Sequence, residues 1–196
     1  MRRLNSILEV IVILLGIYLI ASPFYPEISL RWSKWQDDTQ GYKYNSNLAQ
    51  AAGVEIQQNP PQTNTLLIPK IEVDTPILEG ASSDTLNKGI WRRPLSSQPG
   101  RLGNTVLTAH RYLYSAGPNT FFHLNKLAVG DRFAIFWEGR EYDYQIFNIK
   151  EVSADAVEIE APTQTEIVTL YTCAPLWSAK NRLVIMAQPF SNTKAL

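Results

Sequence analysis

Residues 166–189 read Glu-Ile-Val-Thr-Leu-Tyr-Thr-Cys-Ala-Pro-Leu-Trp-Ser-Ala-Lys-Asn-Arg-Leu-Val-Ile-Met-Ala-Gln-Pro. Two runs of strand length, Glu166 to Thr172 and Arg182 to Ala187, are rich in β-branched and apolar residues. Strand alternation puts Thr169, Tyr171 and Cys173 on one face, with the cysteine at the strand's end. Ala174-Pro175 follows, and a proline cannot continue a central ladder. A thiol at a strand terminus is accessible in a way that a mid-strand thiol is not, although free cysteine is most often a small buried hydrophobe. Arg182 opens the second run directly after the Ala174 to Lys180 loop. If the two strands pair, Cys173 and Arg182 lie at the same end of the sheet.

Upstream, from Gln62, the same texture repeats. Leu66-Leu67-Ile68, Thr75 to Leu78, Thr105 to Thr108, Arg132 to Trp137 and Tyr142 to Ile149 are short apolar runs separated by Gly, Pro, Asn and Asp. Tyr142, Tyr144 and Ile146 alternate with polar Asp143 and Gln145, the signature of a half-buried strand. Glu138-Gly139-Arg140 fits a short hairpin connection. Helical periodicity is scarce, with one or two turns at most over Phe121 to Leu127. The expected class is all-β, a barrel or a sandwich.

The chain has 196 residues, 45% hydrophobic and 18% charged, enough to bury one core and carry an appendage. Lys plus Arg equals Asp plus Glu at 18 each. No clustered basic face is evident, so a nucleic-acid partner is not expected. The appendage is N-terminal. Ile7 to Tyr25 is almost wholly apolar, holds one acid (Glu9), and follows Arg2-Arg3. About 20 apolar residues span a bilayer as a helix, and basic residues stay on the cytoplasmic side. Leu19-Ile20-Ala21 is a poor signal cleavage site. The expected organisation is a cytoplasmic N-terminus at 1–6, a single-pass transmembrane anchor at 7–26, an extracellular stem at 27–61, a β domain at 62–190 and a tail at 191–196. The chain would thus sit in the cell membrane with its β domain outside. In that compartment the one cysteine of the chain cannot make an internal disulfide and is a candidate reactive thiol.

Cysteine chemistry needs a proton partner, and histidine titrates nearest neutrality. Of the two histidines, His110 ends the run Asn104-Thr105-Val106-Leu107-Thr108-Ala109-His110. His123 lies among Phe121, Phe122 and Leu124 and reads as structural. Arginine keeps its charge and offers a fork of donors, so Arg182 suits an oxyanion or a substrate carbonyl.

Thr169-Leu170-Tyr171-Thr172-Cys173, Thr108-Ala109-His110-Arg111 and Asn181-Arg182-Leu183-Val184, in that relation, resemble the sortase family of cysteine transpeptidases. Leu66-Leu67-Ile68-Pro69, Phe122, Leu124, Leu127, Gly130-Asp131 and the N-terminal anchor extend the resemblance over about Thr65 to Pro189. The resemblance implies a closed eight-stranded β-barrel with short helices. It implies Cys173, His110 and Arg182 as catalytic residues, with Thr108, Ala109 and Thr172 beside the substrate. It also implies the reaction: cleavage of a Leu-Pro-x-Thr-Gly-like sorting signal between Thr and Gly through a thioester, then transfer to an amine. The partners would be surface proteins carrying a C-terminal sorting signal, and a cell-wall precursor or protein amine as acceptor. No cofactor is implied. Some members bind calcium between two acidic loops. Here one loop offers Asp155, Glu158 and Glu160, but Ser96 to Asn104 has no acid, so no metal is expected. Pilin-polymerising members often carry an Asp-Pro-aromatic lid. The stem has Asp37-Asp38-Thr39 instead, which points away from that class. Two rivals remain: an exported cysteine hydrolase using the same pair on water, and a non-catalytic surface β-barrel that binds a partner through its aromatics.

Overall fold

A computed structural model of the chain describes residues 2–21, 63–112, 120–176 and 178–190. The stem, the tail and the Asp37-Asp38-Thr39 segment lie outside the described residues. Two compact units are present, Met1–Gly41 and Tyr42–Leu196. In the first, the described element is helix α1 (Arg2–Ala21). It begins five residues before the expected membrane span, taking in Arg2, Arg3, Asn5 and Ser6, while Pro23 to Tyr25 lie outside the described residues. Among the described residues, no helix is long and apolar enough to cross a membrane. The expected transmembrane helix is therefore not established here, because polar residues occupy the helix start and the last apolar residues of the run are not included.

The second unit is a closed eight-stranded barrel. Its strands are β1 (Thr65–Ile68), β2 (Val73–Leu78), β3 (Ile90–Arg92), β4 (Asn104–Thr108), β5 (Arg132–Trp137), β6 (Arg140–Ser153), β7 (Ile167–Ala174) and β8 (Asn181–Pro189). Their order around the barrel is β1-β2-β3-β4-β7-β8-β6-β5, and β5 pairs with β1 to close it. Neighbours are antiparallel except β2–β3 and β4–β7. Short 3-10 turns connect them at Pro69–Ile71, Ser83–Lys88, Leu124–Lys126 and Val157–Glu160. β5 and β6 join through Glu138 and Gly139, both at positive φ (51° and 74°). Such a two-residue turn matches the strand twist, and it confirms the expected hairpin.

Alternation sends Leu107 from β4, Phe133 and Ile135 from β5, Val168 and Leu170 from β7, and Ile185 and Ala187 from β8 into one core. Tyr144 stacks on Phe133 there, centroids 5.6 Å apart. The polar end of that tyrosine needs a partner in an apolar surround. Its hydroxyl donates to Glu166 Oε1 at 2.7 Å, and the Gly100 N–H donates to the same oxygen at 2.9 Å. Burial and the Glu166 carboxylate push the Tyr144 phenol well above its ordinary range.

Candidate active site

The site forms where three strands meet at one rim. In β7 the core-facing residues are Val168 and Leu170, so alternation turns Thr169, Tyr171 and Cys173 to the outer face. The strand runs one residue beyond the cysteine, and Cys173 lies directly opposite Arg182 of β8. Facing residues of an antiparallel pair share a face. The expectation that Cys173 and Arg182 share one sheet end is met, as cross-strand partners. On the other side β4 runs parallel to β7 with Thr108 opposite Tyr171. His110 is two residues past Thr108, as Cys173 is two past Tyr171, so the histidine and the cysteine leave their strands at the same level.

Two hydroxyl links stitch this seam. Thr108 Oγ1 donates to the Tyr171 carbonyl at 3.1 Å, and Thr172 Oγ1 donates to the Ala109 carbonyl at 2.8 Å. Thr108, Ala109 and Thr172 are all buried at 4%, 2% and 1% exposure. The two hydroxyls are thus occupied within the sheet, immediately behind the histidine and the cysteine.

The side chains around the thiol are each anchored. Cys173 is half-buried and free. His110 Nε2 lies 3.0 Å from Asn87 Oδ1, in the 3-10 turn Ser83–Lys88. An amide oxygen can only accept, so Nε2 carries the hydrogen in this contact and Nδ1 is the nitrogen left to exchange a proton. Arg182 Nη1 donates to the carbonyls of Ala179 and Asn181, both at 3.0 Å. Its Nε and Nη2 have no partner among the described residues. Arg111 Nε donates to the Phe122 carbonyl at 2.8 Å, and its Nη1 reaches the Cys173 carbonyl at 3.5 Å. Burial lowers the Arg111 guanidinium from its ordinary value, while attraction to Cys173 and then Glu151 opposes the shift.

The wall beside β7 comes from the segment between β6 and β7. Asn104 Nδ2 donates to the carbonyls of Ile159 and Ala161. Glu160 accepts from the Tyr171 hydroxyl at 2.5 Å and from Arg93 Nε at 2.9 and 3.0 Å. Burial, then the Glu160 hydrogen bond, pushes the Tyr171 phenol up to about 12. One of the acids considered for calcium is thus neutralised by Arg93. Asp155 accepts a short hydrogen bond from Ser153. Among the described residues, no three His, Cys, Asp or Glu side chains converge on a metal-sized site. His123 packs edge-on against Phe122 and directly precedes the Leu124–Lys126 turn.

Sequence reasoning named Cys173, His110 and Arg182, and the fold brings these three strand ends together. It missed Asn87 and Arg111 as parts of the site. Arg111 carried a readable signal, a cation directly after the strand-end histidine. Asn87 carried none.

A family model described as the Sortase domain matches residues 66–190. Sortase D of Bacillus subtilis is 28% identical over 144 residues, 73% of this chain and 70% of the relative. Sortase A of Bacillus anthracis is 23% identical over 210 residues, 99% and 98% of the two chains. Among solved structures, the type I crystal structure of Streptococcus agalactiae sortase C1 superposes with a TM-score of 0.59 at 36% identity, covering 66% of this chain and 69% of that one.

Proposed function

The chain belongs to the sortase family of transpeptidases, and we propose that within it Cys173 is the nucleophile, His110 the proton carrier and Arg182 the oxyanion donor. The observation that carries this reading is the register: Cys173 faces Arg182 across β7–β8, and His110 leaves β4 level with Cys173.

The reaction follows from those positions. The Cys173 sulfur attacks the threonine carbonyl of a Leu-Pro-x-Thr-Gly-like sorting signal, with the thiol proton held on His110. The carbonyl oxygen takes up negative charge, which Arg182 Nε and Nη2 and a backbone N–H offset. As the tetrahedral centre collapses, the Thr–Gly bond breaks and His110 gives its proton to the departing glycine amine. The threonine acyl group is left on sulfur as a thioester. An incoming amine then attacks, its proton passes to His110, and the new amide forms as the C–S bond breaks and the sulfur leaves with the electron pair, taking that proton back from His110 to restore the thiol. The substrates in this reading are surface proteins with a C-terminal sorting signal, and a cell-wall precursor or protein amine.

Membrane anchorage by α1 is part of the proposal. Val10 through Leu15 are consecutive and all more than half exposed, and Ile17 through Ile20 are likewise exposed. Six consecutive residues cover the whole helix circumference, so the apolar surface is not a stripe facing a core. Such a helix buries its surface in lipid more readily than in water. With Arg2-Arg3 on the cytoplasmic side, the barrel is extracellular.

The test uses the full chain in detergent with a library of sorting-signal peptides, read by intact mass. An acyl adduct on Cys173, lost to an added amine with formation of the amide, is expected. Release only as free acid in the presence of amine would assign the exported hydrolase instead. Turnover in Cys173→Ala would remove the mechanism, since the chain has no second cysteine.

A further inference from the structure

Three cationic or titratable groups flank Cys173, and the proposed chemistry uses only two of them. Arg182 sits on β8, and His110 lies two residues past the end of β4. The third is Arg111, which leaves the chain one residue after His110 and turns back across the barrel rim. Its Nε is fixed by the Phe122 carbonyl at 2.8 Å, and its Nη1 approaches the Cys173 carbonyl at 3.5 Å.

A half-buried guanidinium normally pairs with a carboxylate, because desolvating a charge is costly. Among the described residues Arg111 has no carboxylate within salt-bridge distance. The groups that attract it are Cys173 and, next, exposed Glu151 of β6. Glu151 already accepts from Asn181 Nδ2 at 2.6 Å. Arg111 is therefore a cation held by neutral carbonyls, one of them that of Cys173 itself, and no carboxylate among the described residues pairs with its charge.

We propose that Arg111 is a positioning residue of the active site, a second fixed cation whose charge acts on Cys173 and on the negative charge that develops during acyl transfer. Arg182 approaches Cys173 from β8, and Arg111 approaches from beyond β4. The two are held differently. Arg182 uses one nitrogen on its own loop, and its other two have no partner among the described residues. Arg111 is tethered at Nε and Nη1 to the carbonyls of two other segments, so it acts through the cysteine and not by gripping a ligand. The groups that set the potential at Cys173 are then His110, Arg111 and Arg182, with Glu151 opposing them.

The proposal rests on Cys173 being the nucleophile, but its test does not need turnover. Methanethiosulfonate reagents transfer R–S to the thiolate: the cysteine sulfur bonds to the reagent's sulfenyl sulfur, and methanesulfinate leaves with the electron pair. Because the chain has one cysteine, the full-length protein in detergent reports Cys173 alone. The measured quantity is the ratio of second-order rates for the anionic sulfonatoethyl reagent and the cationic trimethylammonium-ethyl reagent. Removal of a unit charge near a half-solvated thiol changes that ratio by about fivefold. In Arg111→Gln the ratio should fall about fivefold, Arg111→Lys should restore most of it, and 1 M salt should shrink the difference. Glu151→Gln, on an exposed side chain, should raise the ratio, which keeps the test open if Arg111→Gln folds poorly. A purely structural role would change both rates together. An unchanged ratio in Arg111→Gln at unchanged Tm, or in Glu151→Gln, would overturn the proposal. Absence of acyl transfer by the parent protein, with these ratios as expected, would count against the sortase chemistry alone.

Discussion

Thr172→Val tests whether the seam between β4 and β7 aligns the chemistry or only holds the barrel closed. Valine keeps the volume and branching of threonine and deletes one hydroxyl. That hydroxyl is 1% exposed as part of Thr172, and it donates to the Ala109 carbonyl at 2.8 Å. A neutral hydrogen bond contributes about 1 kcal/mol net, and a buried carbonyl left without its donor adds to the loss, for about 1–2 kcal/mol together. In a domain of this size the corresponding fall in Tm is about 4–8 °C. Ala109 directly precedes His110 and Thr172 directly precedes Cys173, so the broken link lets the two strand ends shift against each other. A misplacement of about 1 Å between reacting groups costs up to about 10²-fold in rate. We expect kcat for acyl transfer to fall at least about tenfold with KM little changed, and Thr172→Ser to retain both stability and rate. Thr108→Val removes the companion link to the Tyr171 carbonyl, and the double variant should show coupling above about 0.5 kcal/mol. Thermal denaturation and single-turnover acylation, measured on the same preparations, separate the two effects. A Thr172→Val protein that loses stability yet acylates within twofold of the parent would refute the alignment argument.

Arg182→Lys keeps the charge but loses the planar fork. With Nη1 already given to two carbonyls, a lysine has too few fixed donors, so kcat and kcat/KM should fall alike; near-parental kcat in both Arg182→Lys and Arg182→Ala would move the oxyanion role to backbone donors. Asn87→Leu removes the acceptor at His110 Nε2, while Asn87→Asp preserves one. The imidazole nitrogen spectrum should lose its fixed Nε2–H tautomer only in the leucine variant, with kcat reduced about tenfold, and an unchanged spectrum would show that Asn87 does not orient the ring. Tyr171 is an acid whose folded pKa, about 12, stands above its ordinary value near 10. Its protonated form therefore adds stability that is complete below pH 10 and lost as pH rises from about 10 to 12. Tyr171→Phe should flatten that part of the stability curve, and an equal alkaline loss in the phenylalanine variant would assign the effect elsewhere.

The strands were legible where alternation was clean. β5 was read at its observed limits, Arg132 to Trp137, because a positive-φ turn closes it on one side and Gly130-Asp131 on the other. β3 was not read, since Ile90–Arg92 is three residues long and too short to show a period. β6 was read only to Ile149, although it runs to Ser153. A register shift between Ile146 and Asn148 breaks its period-two pattern midway. Cys173, His110 and Arg182 stood out because chemically capable residues sit at strand ends, where a strand stops burying its side chains. Asn87 could not stand out. It meets His110 across 23 residues of sequence, from a 3-10 turn whose own residues have no periodic signal. The apolar run Ile7 to Tyr25 was legible as composition, but helix limits depend on local propensity, and Arg2, Arg3, Asn5 and Ser6 extend the helix toward the N-terminus without adding apolar length.

The parallel pairing of β4 with β7 is the feature from which the site follows. Parallel strands end at the same rim, so a histidine just past β4 and a cysteine near the end of β7 emerge side by side. Had β4 run antiparallel to β7, the end of β4 would lie beside Ile167, six residues before Cys173. At about 3.3 Å per residue that is roughly 20 Å, far beyond proton transfer. A parallel neighbour cannot be made by a tight hairpin and needs a long crossover. The chain uses that crossover to build β5, β6 and the Val157–Glu160 turn, which then returns Glu160 to the outer face of β7 to bind Tyr171. β8 starts where β7 stops, so its second residue, Arg182, comes back to the same rim. Each site residue is thus fixed by strand direction first and by local contacts second.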